Sequence, residues 1–196
     1  MKNLFVGVDV GKYRSAVAIL DSFCELLGQP SYFDTNKVHD EIIRLTNDYE
    51  LLVGIDAPLS LPTNGNNREC EKKIRSQGIA IYPAGAGFFR EISQIGIDLK
   101  KMLCEQSIPV VETYPYASRV KLRIGKKDSN GLVSKRRHAG RIAIQRDLRK
   151  LVQSLDESEF PKADYLDAVL VAYTVYLHHQ EKTQIIDGEG AIVIPR

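Results

Sequence analysis

The segment from Leu4 to Lys12 places one carboxylate, Asp9, inside an otherwise apolar run and just before Gly11. A second apolar and β-branched run, Arg14 to Leu20, follows it, so the sequence predicts a β-hairpin with its turn near Gly11. A charged side chain within a buried strand is costly unless it is paired, and a cation is the obvious partner. Asp9 could instead hydrogen-bond the backbone of its own turn, as Asp commonly does.

The composition is that of an ordinary globular chain. Its 196 residues are 43% hydrophobic and 27% charged, so we expect a single domain over residues 1–196 with a sizeable core. Three distant cysteines without a Cys-x-x-Cys pair argue against a disulfide framework or a zinc ribbon. The sequence lacks a bilayer-spanning stretch and the apolar core of a signal peptide. It therefore predicts a cytoplasmic protein with reduced thiols and no membrane partner.

Further strands and a helix are expected after the hairpin. A third antiparallel strand is predicted around either Phe23–Leu27 or Tyr32–Phe33. A helix follows over Asn36–Asp48, because apolar residues recur there at helical spacing. Leu51–Asp56 is apolar almost throughout, which is typical of a central parallel strand buried on both faces. Two prolines then take the chain out of the sheet.

The remaining elements are predicted from the same patterns. They are helices over Asn67–Gln77, Phe88–Glu105, Tyr116–Arg123 and Ser134–Gln153, a short strand over Ile108–Thr113, an apolar helix over Pro161–Thr174, a hairpin over Ile185–Ile194, and a flexible stretch over Gly125–Gly131.

Acids stand at the ends of apolar strands and near the start of the late helix. Asp56 and Glu112 close such strands, as Asp9 does, and ligands of open α/β sheets bind at the carboxyl ends of strands. Asp164 and Asp167 are three residues apart, so they project from one face of the late helix. Each of these three acids also has a simpler possible role. Asp56 could hydrogen-bond the backbone of a turn, Glu112 could be exposed to solvent at the end of its strand, and Asp164 could cap the start of its helix.

Basic residues are concentrated between Arg119 and Lys150, where twelve Lys or Arg accompany two acids and give a local charge of +10. The rest of the chain holds fifteen basic and twenty-three acidic residues, a net charge of −8. Such a block indicates a polyanionic partner, and a solvated helix face is the alternative. We expect phosphate contacts from Lys135, Arg136, Arg137 and Arg141.

The order of the predicted elements resembles the ribonuclease H-like fold. Val6–Gly11 is similar to the opening strand of RuvC-type resolvases, and Asp164-x-x-Asp167-Ala168 is similar to their closing acidic pair. Asp56 stands where those enzymes usually carry a glutamate. The resemblance implies an α/β fold with a mixed sheet of three antiparallel strands and then parallel strands, helices on both faces, and a helical insertion.

Four further motifs, spread over nearly the whole chain, resemble an uncharacterised family of predicted nucleases with this fold. They are Gly54-Ile55-Asp56-Ala57-Pro58, Arg68-x-Cys70-Glu71, Glu112-Thr113-Tyr114-Pro115 and Gly188-x-Gly190. Because nuclease activity is itself an inference for that family, this resemblance supports the fold more than the function.

The resemblance implies a metal-dependent nuclease that hydrolyses phosphodiester bonds of DNA or RNA. Two Mg²⁺ or Mn²⁺ ions can activate water and stabilise the phosphate and the leaving oxygen, and such hard cations take carboxylate ligands. Asp9 would bridge both ions, Asp56 would hold one, and Asp164 with Asp167 would hold the other. Glu112 is a further catalytic candidate, either as a ligand or as the group that positions water.

Two other functional classes stay open. Asp9–Lys12 also resembles the phosphate-binding hairpin of actin-like phosphotransferases and ATPases, which generally need two lobes and a longer chain. The second class is a non-catalytic nucleic-acid-binding domain that has kept the fold. Metal binding would separate this class from the nuclease, because a binding module needs no clustered acids. The sequence also leaves a homodimer open.

Overall fold

Four parallel strands form the centre of a seven-stranded sheet in the computed structural model, which describes residues 2–127, 131–156 and 162–196. The strands are β1 (Lys2–Asp9), β2 (Arg14–Leu20), β3 (Ser31–Asp34), β4 (Tyr49–Asp56), β5 (Val110–Thr113), β6 (Thr183–Asp187) and β7 (Ala191–Pro195). The helices are α1 (Val38–Leu45), α2 (Glu69–Ser76), α3 (Arg90–Glu105), α4 (Pro115–Leu122), α5 (His138–Arg149) and α6 (Ala163–His179), and a short 3-10 helix, Thr35–Lys37, precedes α1.

The first three strands form the predicted antiparallel half of the sheet. β1 pairs with β2, and β2 pairs with β3. Of the two positions predicted for the third strand, Tyr32–Phe33 lies within β3, whereas Phe23–Leu27 contributes only a bridge between Leu20 and Leu26. The sheet therefore starts as a meander and continues, across β1, into its parallel half.

The parallel half gives the strand order β3-β2-β1-β4-β5-β7-β6. β1 and β4 pair from Lys2 beside Tyr49 to Asp9 beside Asp56. β5 lies next to β4, β7 lies next to β5, and β6 closes the sheet antiparallel to β7. The helices α2 and α3 form the predicted insertion between β4 and β5.

Helices cover both faces of the sheet, which confirms the predicted fold class. On one face, Leu4, Val6 and Val8 of β1 belong to the same core as residues of α1 and α3. On the other face, Phe5 belongs to a core shared with α5 and α6. Because successive side chains alternate between faces, a strand covered on both sides must be apolar throughout.

Two glycines allow α6 to lie directly on the sheet. Gly7 and Gly54 are register partners in β1 and β4. A Cβ atom on Gly7 would lie 2.1 Å from the backbone oxygen of Ala168, and one on Gly54 would lie 2.4 Å from a methyl carbon of Val175. Glycine is the residue that permits such close backbone approach. This packing fixes α6 relative to the ends of the two strands.

Helix α5 begins later than predicted, at His138 instead of Ser134, and ends at Arg149. Residues 134–137 form a turn, closed by a hydrogen bond of 3.2 Å from the Arg137 N–H to the Ser134 carbonyl. The prediction was wrong here because Lys135–Arg137 contains no apolar residue, so hydrophobic periodicity could not mark the boundary. The turn is important because it carries Lys135.

The other predicted elements agree with the structure to within a few residues at their ends. α6 runs beyond the predicted Thr174 to His179, while Pro161 and part of Gly125–Gly131 lie outside the described residues. In the described part of the chain, none of the helices has the length and apolar character needed to span a membrane.

Candidate carboxylate site

The carboxyl ends of β1 and β4 place two aspartates side by side. Asp9 and Asp56 are register partners, and neighbouring strands are about 4.8 Å apart. Each follows, by two residues, a glycine that faces α6. Side-chain alternation therefore puts both carboxylates on the α6 side of the sheet.

Helix α6 adds a third acid to this pair. Asp167 immediately precedes Ala168, the residue whose backbone lies over Gly7, and it is 4% exposed. Its charge acts on both Asp9 and Asp56. The structure thus brings together three of the acids predicted from the sequence, and we call them the carboxylate cluster.

The pKa values of all three carboxyls are raised. Burial and then the charge of Asp167 raise the pKa of Asp56 to about 8. Burial, followed by the charges of Asp56 and Asp167, holds the pKa of Asp9 well above its usual range. Burial also raises the pKa of Asp167. Buried carboxyls that repel one another at the edge of a sheet are candidates for a functional site.

A lysine from the turn before α5 enters the carboxylate cluster. The Nζ atom of Lys135 forms an ion pair with Oδ2 of Asp167, and its charge partly opposes the upward pKa shifts of Asp9 and Asp56. Burial disfavours the ammonium, but the charge of Asp167 prevails and the pKa of Lys135 is raised. The side chain remains 46% exposed, so the ammonium can reach both the acids and solvent.

The cluster is not a preformed metal site. Among residues 2–127, 131–156 and 162–196, no three or more Asp, Glu, His or Cys side chains are arranged to hold a metal ion. The acids are close enough to repel each other, while Asp167 is paired with Lys135. A cation that takes Oδ2 of Asp167 as a ligand would displace the lysine, whereas Oδ1 is not part of this ion pair.

Asp164 lies one turn before Asp167 and is held by Tyr32 of β3. The Tyr32 hydroxyl donates to Oδ2 of Asp164 at 2.9 Å. Burial and then this hydrogen bond raise the pKa of Tyr32 to about 12, so the phenol keeps its proton at neutral pH. Arg14 and Lys162 lie 4.3 and 5.0 Å from the centre of the same ring. Asp164 is thus placed at the edge of the cluster with one oxygen engaged.

Glu112 lies on the opposite face of the sheet from the carboxylate cluster, although its charge still helps to raise the pKa of Asp56. It is the register partner of Ile55, not of Asp56, and an offset of one residue puts its side chain on the opposite face of the sheet. Its two oxygens accept hydrogen bonds of 2.5 and 2.7 Å from Arg68, and one also accepts the Leu59 N–H at 2.8 Å. Both oxygens of Glu112 are thus engaged by Arg68, although Glu112 lines the same cleft as Asp56, and its role as a ligand or as the group that positions water stays a prediction.

Arg68 connects several of the motif residues in a buried network. It is fully buried and, besides Glu112, it donates to Glu71 at 2.9 Å and to the Ser60 hydroxyl at 3.1 Å. Ser60 in turn donates to the backbone oxygen of Glu189 at 2.5 Å. The network joins the loop after β4, α2, the end of β5 and the turn between β6 and β7. These motif residues stabilise the fold around the cluster and do not enter it.

The four basic residues predicted to contact phosphate have different surroundings. Lys135 belongs to the carboxylate cluster, and Arg141 donates to the backbone oxygens of Lys135 and Arg136 at 3.2 and 3.1 Å. Arg141 therefore holds the turn that carries Lys135. Arg136 and Arg137 are exposed and form no ion pair within the described part of the chain. They are the two that remain free for a polyanion.

The fold is that of a RuvC-like α/β protein of the ribonuclease H type. The structure of T. thermophilus RuvC in complex with a Holliday junction substrate matches with a TM-score of 0.53 and 9% sequence identity, covering 90% of this chain and 96% of that chain. A second Thermus thermophilus RuvC structure matches with a TM-score of 0.49 and 10% identity, over 91% and 96% of the two chains. At such low identity the similarity establishes the fold alone.

The chain belongs to the DUF429 family. The family model, described as "Protein of unknown function (DUF429)", matches residues 75–190. Together with the fold, this match confirms the predicted membership in an uncharacterised family. No curated protein matches the sequence. The matched range includes both acids of α6, whereas Asp9 and Asp56 precede it.

Sequence reasoning missed two residues beside the cluster, Thr113 and Tyr32. For Thr113 a signal exists: side chains alternate along β5, so either Glu112 or Thr113, but not both, can share the side of Asp56. For Tyr32 there is no comparable signal, because its hydrogen bond joins residues 132 positions apart. Only the packing of α6 on the sheet brings that tyrosine to Asp164.

Proposed function

We propose that this protein is a metal-dependent nuclease that hydrolyses phosphodiester bonds of DNA or RNA. The observation that carries the proposal is the convergence of Asp9, Asp56 and Asp167 on one side of the sheet, with raised pKa values and Lys135 as the ion-pair partner. Buried acids so short of positive charge favour cation binding. The fold supports the nucleic-acid substrate, because the similar T. thermophilus RuvC was solved in complex with a Holliday junction substrate.

The donor set fits Mg²⁺ or Mn²⁺, which take carboxylate oxygens as ligands. Asp9, Asp56 and Asp167 would hold the cation or cations, and Asp164 offers the oxygen that Tyr32 leaves free. A bound cation would supply the missing positive charge and lower the pKa of Asp56 from about 8 toward its usual range.

Bound divalent cations would supply an activated water molecule and stabilise the charge that develops on the phosphate. The side chains of the protein itself would bind and orient the nucleic acid. Lys135, once displaced from Asp167, has an ammonium free to pair with a phosphate oxygen. Arg136 and Arg137 lie next to it in the same exposed turn and would hold the nucleic-acid backbone. The close packing of α6 keeps the carboxyls fixed with respect to the strand ends.

A second candidate function, a non-catalytic nucleic-acid-binding domain, is favoured by one observation. Lys135 already forms an ion pair inside the carboxylate cluster. If that pair is permanent, the lysine replaces the cation, and the acids serve only to orient the basic turn. The two functions differ in whether Mn²⁺ can displace Lys135.

The decisive experiment measures cleavage of labelled DNA and RNA, both duplex and branched, with Mg²⁺, with Mn²⁺ and with a chelator. We expect cation-dependent cleavage by the wild-type protein. Asp9→Asn should reduce it by at least about 100-fold, because several kcal/mol of transition-state stabilisation are lost with a catalytic cation. The same variant should melt at a higher temperature than the wild type without metal, because it removes repulsion among buried acids.

The matched control is Asp98→Asn, which neutralises an exposed acid on α3 that accepts a hydrogen bond of 2.9 Å from Gln94. It should leave both cleavage and melting temperature unchanged. Absence of cleavage and of heat in a Mn²⁺ titration, together with binding of the same labelled nucleic acids, would establish the second candidate function. Normal cleavage by Asp9→Asn in Mg²⁺ would place the active site elsewhere.

A further inference from the structure

Thr113 ends β5 with a buried hydroxyl that has no hydrogen-bond partner. The residue is 2% exposed, and its Oγ1 is one of two buried side-chain polar atoms without a partner in the described part of the chain. The other is Nε of Arg119, a buried arginine whose charge acts on Asp167. Buried polar groups are nearly always satisfied, and each exception requires an explanation. Both exceptions here adjoin the carboxylate cluster.

The register places Thr113 on the same side of the sheet as the cluster. Ile55 pairs with Glu112, so the next residue of β5 follows beside Asp56. A Cβ atom on Gly54, which faces α6, would lie 3.3 Å from the methyl carbon of Thr113. Asp9, Asp56 and Thr113 therefore form one row across three parallel strands, and the third member of the row is a hydroxyl instead of a carboxylate.

Elsewhere in the same helix-covered face, a buried threonine is fully bonded. The hydroxyl of Thr174 on α6 lies 2.8 Å from the Leu170 carbonyl and 2.9 Å from the Ser118 hydroxyl. The fold thus can satisfy a buried hydroxyl at a purely structural position. The unsatisfied hydroxyl of Thr113 is specific to the end of the row.

Thr113 also lines a cleft that opens beside the cluster. Asp56 and Tyr114 line the same cleft, and so do Arg68, Glu71 and Glu112 of the buried network, where Arg68 is paired with both glutamates. A hydroxyl can donate a hydrogen bond without adding charge, whereas ionised carboxylates only accept. Thr113 is therefore the group in this row that suits an anionic oxygen.

We propose that the Thr113 hydroxyl donates a hydrogen bond to a non-bridging phosphate oxygen of a nucleic-acid strand bound next to Asp56. This inference rests on the proposed function, since it names a contact of the same site. It makes Thr113 a substrate-binding residue, with the orphaned hydroxyl of the free protein satisfied in the complex.

The experiment compares Thr113→Val, Thr113→Ser and Thr174→Val with the wild type. Valine has the shape of threonine without the hydroxyl, so Thr113→Val should melt at an equal or higher temperature than the wild type, because it removes an unsatisfied group. Thr174→Val loses two existing hydrogen bonds and should melt lower. Affinity is then measured for a short DNA duplex and for RNA of the same sequence, with Ca²⁺ in place of Mg²⁺ to limit cleavage.

We expect Thr113→Val to bind nucleic acid about tenfold or more weakly, the effect of losing a hydrogen bond to a charged group. Thr113→Ser, which keeps the hydroxyl, should bind nearly as well as the wild type. Unchanged affinity of Thr113→Val, equal weakening by valine and serine, or a loss of stability like that of Thr174→Val would each overturn the inference while leaving the nuclease proposal standing. A wild-type protein that binds neither DNA nor RNA would overturn both.

Discussion

Lys135 determines how much negative charge the carboxylate cluster presents to a cation. Its ammonium is paired with Asp167, yet the side chain is 46% exposed and comes from a turn, not from a helix. A lysine carries its charge on a flexible four-carbon stem, so the ammonium can leave without any movement of the sheet. Under the proposed function, Lys135 would therefore compete with divalent cations for Asp167.

Lys135→Met should increase the affinity for Mn²⁺ by about fivefold, because displacing a half-exposed ion pair costs about 1 kcal/mol. Methionine keeps the four-atom unbranched stem of the side chain and removes the charged Nζ. The measurement is a calorimetric Mn²⁺ titration, and Arg136→Met, which removes the neighbouring exposed charge, is the control. Equal or weaker Mn²⁺ binding by Lys135→Met would mean that the lysine helps to assemble the site.

Glu112→Gln should lower the free energy of unfolding by about 1–3 kcal/mol, because it weakens the charge-assisted hydrogen bonds to Arg68 and leaves Glu71 as the carboxylate that still pairs with it. Urea denaturation measures this change, and the affinity for Mn²⁺ should stay unchanged. The control is Asp187→Asn, which breaks an exposed ion pair with Lys73 and should cost about 1 kcal/mol or less. Normal stability combined with weaker Mn²⁺ binding would restore Glu112 as a ligand.

At the scale of elements, the contact between α6 and the β1–β4 pair both completes the core and assembles the candidate site. Helix α6 packs directly against Gly7 and Gly54, and Asp9 and Asp56 follow these glycines by two residues. Any displacement of the helix therefore separates Asp167 from the strand acids. Stability and metal affinity should respond together to changes at this contact.

Gly7→Ala should destabilise the protein by about 1–3 kcal/mol or more, since the new methyl group meets backbone atoms of Ala168 and Ala172 that cannot rotate away. It should also weaken Mn²⁺ binding, because α6 must shift. Gly87→Ala is the control, since a Cβ atom there meets nothing within 4 Å. Thermal melts and Mn²⁺ titrations of both variants test this. If Gly7→Ala is destabilised but binds Mn²⁺ normally, metal affinity does not depend on how closely α6 packs on the sheet.

The elements most visible in the sequence were those with strong apolar patterns. β1, β4 and α6 are nearly continuous apolar runs, so their presence and the acids at their ends could be predicted. The turn at 134–137 could not be predicted from the sequence, because its position depends on hydrogen bonds from Arg141 and on the ion pair of Lys135. Basic residues in a run look alike in sequence, whether they face solvent or a buried acid.

The surroundings of Glu112 could not be predicted for a similar reason. Its place at the end of an apolar strand matched that of Asp9 and Asp56, but the register of β5 decides which face it occupies. Arg68, its partner, lies 44 positions away in the chain. Register and such long-range pairing arise from tertiary packing, so the sequence alone could not distinguish a structural glutamate from a metal ligand.

At the scale of the whole molecule, the +10 block does not act as one uniform surface. Arg119 is buried, Arg141 holds the turn through backbone oxygens, and Lys135 is paired with Asp167. Arg136 and Arg137 remain exposed beside the cluster. These two are thus the exposed part of the block that adjoins the candidate site, while Arg123, Lys126 and Lys127 are exposed elsewhere in the block.

Replacing Arg136 and Arg137 together with alanine should flatten the plot of log K against log salt by about 1.8 units on duplex DNA, or about 1.4 on a single strand, because two phosphate contacts are lost. Different sequences should be weakened alike, since phosphate contacts carry no base information. Fluorescence anisotropy over a range of salt concentrations measures the slope. Arg44→Ala, which removes an exposed arginine paired with Glu41 on α1, is the control. An unchanged slope in the double variant would place the nucleic acid on another surface.

The span of the candidate site along the chain has a consequence for its biosynthesis. The site draws its acids from position 9 to position 167, and it exists only when α6 rests on β1 and β4. Domains fold largely as units as they are synthesised, so a partly made chain on the ribosome has Asp9 and Asp56 but no Asp167. If the protein is the proposed nuclease, the messenger and ribosomal RNA around it are protected while most of the chain is still being translated, because activity would arise only when α6 has emerged and packed.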